Sequence, residues 1–332
     1  MLDAEAGRVA ILIRMRDPPW RRPGWLEPAL TWTDASLADV GLRRTGPPEA
    51  RERAYSVVLR FPTDGGDVFL KETADTMAND AGLTSILHEV APDLVVQPLA
   101  VDAGRRRMLL PHAGERLRDR LEADPDPVHW ERILPRYAEL QLAAASRTQS
   151  LQAAGALDRG LDHLAQQLAE LLDDPQVTAT AQLRALVPRV AAVAAELRDG
   201  SIPLSVQHDD LHDGNVLVEG TAAYRVVDWG DAYVGHPFGT LLVTLRSAAG
   251  AFSWADDGPE VRRLRDGYLE PWRAVAPDLA LEREVRRSCW LAMVGRALIW
   301  RAVGVTAAKD DPWDWRAAVG EWLAELAAST PA

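Results

Sequence analysis

His208-Asp209-Asp210-Leu211-His212-Asp213-Gly214-Asn215-Val216-Leu217-Val218, followed six residues later by Tyr224-Arg225-Val226-Val227-Asp228-Trp229-Gly230-Asp231, is the stretch on which the fold turns. Its 24 residues carry six carboxylates and one arginine, a local net charge of −5. Left unpaired, that much like charge destabilises a compact fold, and a divalent cation is the simplest group to offset it. Val216–Val218 and Tyr224–Val227 are apolar runs flanking Glu219-Gly220-Thr221, the pattern of a β-hairpin. A turn centred on 221–222 pairs position i with 443 − i and sets Asn215 opposite Asp228. Opposed Cα atoms in an antiparallel ladder lie about 4.5–5.5 Å apart. At that spacing an amide oxygen and a carboxylate can share one hard cation, and oxygen ligands suit Mg²⁺. Asp210, five residues before Asn215, projects into the same space, where a carboxylate can orient a hydroxyl or take its proton.

Outward from this loop the period of the apolar residues changes. Upstream, Trp25, Ala29, Trp32 and Leu37 fall on one face of an amphipathic segment from Trp25 to Val40. Tyr55–Phe61 and Val68–Lys71 are β-rich and separated by Asp64-Gly65-Gly66-Asp67, a hairpin signal. A helix over about 76–90 and strands over Leu94–Val101 and Arg107–Leu110 complete a small β-rich lobe. Beyond Gly114 the pattern is helical: Trp130, Ile133, Leu134, Tyr137, Leu140 and Ala144 follow the 3.6 period, with Pro135 marking a kink or a late start. Segments 158–173, 178–198, 236–250, 258–270, 280–303 and 314–328 read as further helices, interrupted by the β-rich loop at 203–228. The fold class is therefore α+β and bilobal: an N-terminal lobe over 1–110, a connection at 111–114, and a mainly helical C-terminal lobe over 115–332.

Composition sets the outer bounds. The chain has 332 residues, 47% hydrophobic and 26% charged, with a net charge of −12, which disfavours a nucleic-acid binder working through a broad basic face. The single cysteine, Cys289, rules out an internal disulfide and suits a reducing cytoplasm. The apolar run Val9–Ile13 is closed by Arg14 and is too short for a signal peptide. Trp290–Trp300 is broken by Arg296 and falls short of the roughly 20 apolar residues of a membrane span. Of the 37 basic residues only Lys71 and Lys309 are lysines, which singles out Lys71 at the end of a hydrophobic strand. The Arg105-Arg106-Arg107 run reads as a solvated strand end, and Cys289 as a buried, inert thiol.

His208, Asp210 and Asn215 have the H-x-D-x-x-x-x-N spacing of a kinase catalytic loop, and Asp228-Trp229-Gly230 resembles the D-F-G triplet. The wording of the whole loop most resembles the aminoglycoside phosphotransferase family, which has the protein-kinase-like fold and is related to choline and sugar kinases. The resemblance in lobe order runs from about residue 25 to 325, and its specific residues are Lys71 and 208–231. It implies a catalytic role for Asp210, metal binding by Asn215 and Asp228, phosphate pairing by Lys71, and a bracing role for His208. It further implies ATP and Mg²⁺, and a small-molecule hydroxyl as phosphoryl acceptor. The usual lysine partner is a Glu on the first-lobe helix; Asp80 is the best match here, one methylene shorter, with Glu89 as the fallback. Met108–Gly114 resembles the adenine-binding hinge, with the Pro111 carbonyl as acceptor and the Ala113 N–H as donor. No Gly-rich loop precedes Val57, so Ser56 and nearby amides are left to cover the phosphates.

The remaining acids of the loop, Asp209, Asp213 and Asp231, suggest a cationic acceptor such as an aminoglycoside or amino sugar, with Asp256-Asp257 and Asp310-Asp311 as further acidic candidates. His212 either touches substrate or caps the loop. Two other readings stand beside the kinase. One is a catalytically weak or inactive relative that binds nucleotide or a partner, motivated by Asp80 and the missing Gly-rich loop. The other is a metal phosphohydrolase using His208-Asp209 and His212-Asp213.

Overall fold

The computed structural model describes residues 17–277, 279–307 and 314–331. The apolar run 9–13, Lys309 and Asp310-Asp311 lie outside the described residues.

The described chain opens with α1 (Leu26–Asp39), then β1 (Glu49–Glu52), β2 (Ser56–Thr63), β3 (Gly66–Thr73), α2 (Asp80–Val90), β4 (Ala100–Asp102) and β5 (Arg107–Pro111). The five strands make one antiparallel sheet in the order β1-β2-β3-β5-β4. The β2–β3 register runs from Ser56↔Thr73 to Thr63↔Gly66, so Asp64-Gly65 is a two-residue hairpin turn. Alternation places Val57, Leu59 and Phe61 of β2 and Val68 and Leu70 of β3 in the core. The last residues of β3, Lys71 to Thr73, are all buried, where the strand passes α2.

Three expectations from the sequence change here. The helix expected from about 76 starts at Asp80, because the Asn79 side chain caps it by accepting from the Gly82 amide. The strand expected over Leu94–Val101 survives only at Ala100–Asp102: Pro98 has no N–H for a ladder, and Val95 instead bridges Val226 of the hairpin that follows Asn215. Nor is Arg105–Arg107 a uniform solvated end. Arg107 is buried on Glu72 at 2.6 Å, and Arg106, at φ +57, turns its guanidinium onto the carbonyls of Ala74 and Met77.

After the connection come β6 (Glu115–Arg116), α3 (Leu117–Ala123), α4 (Val128–Ala144), α5 (Thr148–Ala153), α6 (Leu164–Asp173) and α7 (Ala181–Arg198). Pro135 lies inside α4, so that helix begins before it. Then follow β7 (Ser205–Gln207), β8 (Val216–Glu219), β9 (Ala223–Val226), β10 (Tyr233–Gly235), α8 (Leu241–Phe252), α9 (Pro259–Arg273), α10 (Leu281–Thr306) and α11 (Trp315–Ala328). Strands β6, β8 and β9 form one small sheet and β7 pairs with β10. Among the described residues α10 alone is long and apolar enough to cross a membrane, but 72% of its apolar window is buried in the protein. It packs against α6, α7, α8 and α11 as a core helix. The result is a bilobal α+β architecture, with a cleft where the five-stranded sheet faces the loop between β7 and β10.

Candidate active site

The loop from His208 to Asn215 is held from behind by His208. This fully buried ring bonds Val227 O through Nε2 at 3.0 Å and accepts from the Asp210 amide through Nδ1 at 3.3 Å, which fixes a neutral tautomer with the proton on Nε2. Burial lowers its pKa, consistent with that form. Trp229 seals the other side, stacked on Tyr137 and tilted against His208 at 4.7 Å between ring centres. Asn215 donates its side-chain amide to the Asp210 carbonyl at 2.9 Å, closing the loop on itself.

The hairpin register differs by one from the sequence expectation. Val216 pairs with Val226 and Glu219 with Ala223, so Gly220-Thr221-Ala222 form a three-residue loop with Gly220 at φ +60. Asn215 therefore faces Val227, whose amide donates to its carbonyl at 3.0 Å, and Asp228 lies one residue beyond the pairing. A one-residue slip turns a side chain to the opposite face. Asp228 nevertheless lines the cleft, because it leaves the ladder in the left-handed region at φ +69. Asp209, at φ +67, makes the same kind of sharp turn just before Asp210. Non-glycine residues at such angles carry strain that the surroundings must overcome, and they cluster at functional sites.

Lys71 sits between two carboxylates, its Nζ 2.6 Å from Asp80 Oδ2 and 2.7 Å from Asp228 Oδ1. Burial opposes the charge, but the two acids raise its pKa. Asp80 is short yet reaches, because it is the first residue of α2 and that end of the helix is tied to the loop. Ala78 N–H donates to Gly230 O at 2.7 Å and Trp229 N–H to Asp80 Oδ1 at 3.0 Å. Thr84 donates to the same oxygen at 3.1 Å. Glu89 is on the outer face, paired with Arg147 at 2.8 Å.

The loop's other charges are met by arginines from distant elements. Arg118 of α3 binds Asp213 at 2.6 Å. Arg296, buried on α10, lies 2.9 Å from Asp231, 3.2 Å from Asp210 and 3.6 Å from Asp209. Against the effect of burial, Arg296 and His212 hold the Asp210 carboxyl well below its ordinary range. Burial lifts Asp231 to about 7 against the opposing pull of Arg296, and Asp209 to about 6. Burial opposes a charge on His212, while Asp210 and Asp213 favour one. Yet the Gly214 amide and Arg118 both point at its Nδ1, 2.9 and 3.2 Å away. Two donors at that nitrogen require its lone pair, so the ring is neutral and its Nε2 faces Asp210 at 3.4 Å. His212 thus caps the turn at 213–215.

A charge sum over neighbours in sequence overlooks these cations. Beside the divalent cation expected there, Lys71, Arg118 and Arg296 thus offset part of the loop's charge. Arg296 is also a site residue that the sequence reading misses. Its signal is present as the one charge inside the apolar stretch 290–300, since a charged residue in an otherwise apolar helix is buried only when paired.

Above the loop opens a cleft of about 750 Å³. Lys71, Ser56, Pro111, Ala113, Asp210, His212, Asn215, Asp228 and Asp231 line it; Asp80, His208 and Asp213 stand behind its wall. Residues 41–277 match the family described as the phosphotransferase enzyme family. The chain belongs to that family. Solved structures share its fold at low identity. A choline/ethanolamine kinase family protein from Mesorhizobium loti is 17% identical, with a TM-score of 0.61 over 90% of this chain and 94% of its own. An amicoumacin kinase, solved with AMP-PNP, Ca²⁺ and its ligand, is 13% identical at a TM-score of 0.62, over 92% and 94%. A macrolide 2′-phosphotransferase from Brachybacterium faecium is 19% identical at 0.56, over 87% and 98%. No curated protein sequence matches the chain. The phosphotransferase fold is thus common to proteins named for quite different acceptors.

Proposed function

We propose that this phosphotransferase moves the γ-phosphoryl group of ATP, with Mg²⁺, to a hydroxyl of a small molecule in the cytoplasm. The observation that carries the reading is Lys71 held between Asp80 and Asp228 in the cleft that also presents Asp210. Residues 1–110 supply the nucleotide lobe and 115–332 the catalytic loop. The connection at 111–114 takes the adenine, through the Pro111 carbonyl and the Ala113 amide.

Asn215 and Asp228 fit a hard cation. Both line the cleft, both offer oxygen, and one Asp228 oxygen is left over when the other binds Lys71. Mg²⁺ held there offsets negative charge on the phosphates. Lys71 supplies a second, fixed positive charge, and Ser56, which lines the cleft at the start of β2, covers the phosphates. Asp210, kept ionised by Arg296, accepts the acceptor's hydroxyl proton. The freed oxygen bonds the γ-phosphorus, and the β,γ-bridging oxygen leaves with its electron pair as ADP.

The inactive-kinase reading loses its main support, since Asp80 makes the contact that its shorter side chain puts in question. The phosphohydrolase reading loses ground too. Both His208 nitrogens are engaged with backbone, and among the described residues no three His, Cys, Asp or Glu side chains gather as a metal-ligating set. Calorimetric titration of ATP and GTP, with and without Mg²⁺, tests the proposal on wild type and Asp228→Asn. Nucleotide binding strengthened by Mg²⁺ in the wild type alone is expected. Asp210→Asn should keep that binding and lose phosphoryl transfer by about 10²–10⁴-fold. Absence of nucleotide binding to the wild type would overturn the reading.

A further inference from the structure

The cleft has a charge opposite to that of the whole molecule. Among the described residues six cations line it (Arg51, Arg53, Lys71, Arg116, Arg118 and Arg296) against five carboxylates (Glu115, Asp119, Asp210, Asp228 and Asp231), a balance of +1 in a chain of net charge −12. Each of these carboxylates moreover has a cationic partner, and the second Asp228 oxygen is the one proposed above for the metal. Asp119 pairs with Arg116 at 2.8 Å, Glu115 with Arg120, Asp228 with Lys71, and Asp210 and Asp231 with Arg296. Of the other acids that suggest a cationic acceptor, Asp213 stands behind the wall on Arg118, Asp209 is buried beside Arg296, and Asp257 pairs with Arg262 outside the cleft.

The wall next to Asp210 is built by α10. Arg296, Ile299, Trp300 and Val303 share one helical face and all line the cleft. Arg296 touches Asp210, so Ile299 and Trp300 stand about 5 Å further along the helix and Val303 about 10 Å. Tyr55 lines the same cleft and lies close enough to Asp210, Asp228 and Asp231 to feel their charge. A molecule presenting a hydroxyl to Asp210 therefore meets one buried guanidinium and then aliphatic and aromatic surface. An ammonium group placed there would give up its water, find no unpaired carboxylate among the described residues of the lining, and approach Arg296.

Resting on the phosphotransferase reading, we infer that the acceptor is an uncharged hydroxyl compound with an apolar flank, and that Arg296 sets this selectivity by occupying the carboxylates a cation would need. Arg296 is a specificity-determining residue: its side chain is only 7% exposed and bridges three acids, so an incoming cation does not readily displace it.

Two measurements test the inference. The first is phosphoryl transfer from Mg-ATP to matched acceptors that differ in one ammonium group, such as glucose against glucosamine and cyclohexane-1,2-diol against 2-aminocyclohexanol. The neutral member is expected to have a kcat/KM at least about tenfold higher. Equal or better turnover of the ammonium member overturns the inference. The second needs no substrate: iodide and caesium quenching of the Trp300 fluorescence, taken as wild type minus Trp300→Phe. Iodide should quench that component at least as well as caesium. Preferential quenching by caesium would mark a negative acceptor end and overturn the inference even if no acceptor in the panel is turned over. If the panel is silent and iodide quenches, the inference stands on the second measurement. Failure of the underlying phosphotransferase reading shows separately, as loss of Mg²⁺-dependent nucleotide binding, and leaves the quenching result intact.

Discussion

Asp80→Asn removes one of the two negative charges that hold Lys71 in the cleft. Asp80 is 1% exposed and makes three contacts: Lys71 Nζ at 2.6 Å on one oxygen, Trp229 N–H at 3.0 Å and the Thr84 hydroxyl at 3.1 Å on the other. In the variant only one side-chain atom remains an acceptor. If it faces Trp229 and Thr84, an N–H group confronts the Lys71 ammonium; if it faces Lys71, the Trp229 amide is left without a partner. Either way one charge-assisted bond or its equivalent is lost in a buried place, about 1.5–3 kcal/mol. Removing one partner of a buried pair costs about 3–5 kcal/mol when the other is stranded. Asp228 stays 2.7 Å from Lys71, so the lower range applies.

Urea denaturation of wild type, Asp80→Asn, Lys71→Met and the double variant isolates the pair, with an expected coupling of about 1.5–3 kcal/mol. Nucleotide affinity should fall in Asp80→Asn as well, since Lys71 is then drawn wholly toward Asp228, the residue proposed to face the metal. Glu89→Gln is the control. Its side chain is 66% exposed and paired with Arg147, so its effect should stay within about 0.5 kcal/mol. A coupling below about 0.5 kcal/mol with unchanged nucleotide binding would refute the claim that Asp80 positions Lys71.

Gly114 has φ +108, and a Cβ there would sit 2.4 Å from the carbonyl oxygen of Val218 in β8. Gly114→Ala should therefore lose about 2–4 kcal/mol of stability in chemical denaturation. Gly220→Ala, at φ +60 with open space around it, should lose only about 1–2 kcal/mol. Asp231 gives a pH signature. Its folded pKa of about 7 lies above the reference value of 3.8, so the native state holds the proton more tightly than the unfolded chain. That contribution is complete below about pH 4 and is lost as pH rises through 7, up to about 4 kcal/mol. Wild-type stability relative to Asp231→Asn should thus decline between about pH 4 and 8 in urea titrations; a flat difference would show that Arg296 cancels the burial of Asp231.

Features that depend on near neighbours are legible in this sequence. The spacing of His208, Asp210 and Asn215 lies within one loop, and the 3.6 period of Trp130 to Ala144 within one helix, α4. The hairpin is legible as a hairpin but its register is not. A two- or three-residue turn is decided by whether Gly220 takes a positive φ, and the flanking apolar runs fit either choice. The period places α2 four residues early, since Thr76, Met77 and Ala78 have acceptable propensity. What decides its start is the Asn79 cap, together with backbone bonds from Ala78 and Asn79 to Gly230 and Gly155, which lie far along the chain. Charge is the least legible feature, because no local window contains its partners. Summed along the chain, 208–231 is an unbalanced acidic patch that invites a cationic ligand. Folded, it receives Lys71 from β3, Arg118 from α3 and Arg296 from α10. The same acids that suggest a cationic acceptor in one dimension are thus, in three, paired with cations from β3, α3 and α10, and on the reading proposed above it is the α10 wall beside them that faces the acceptor.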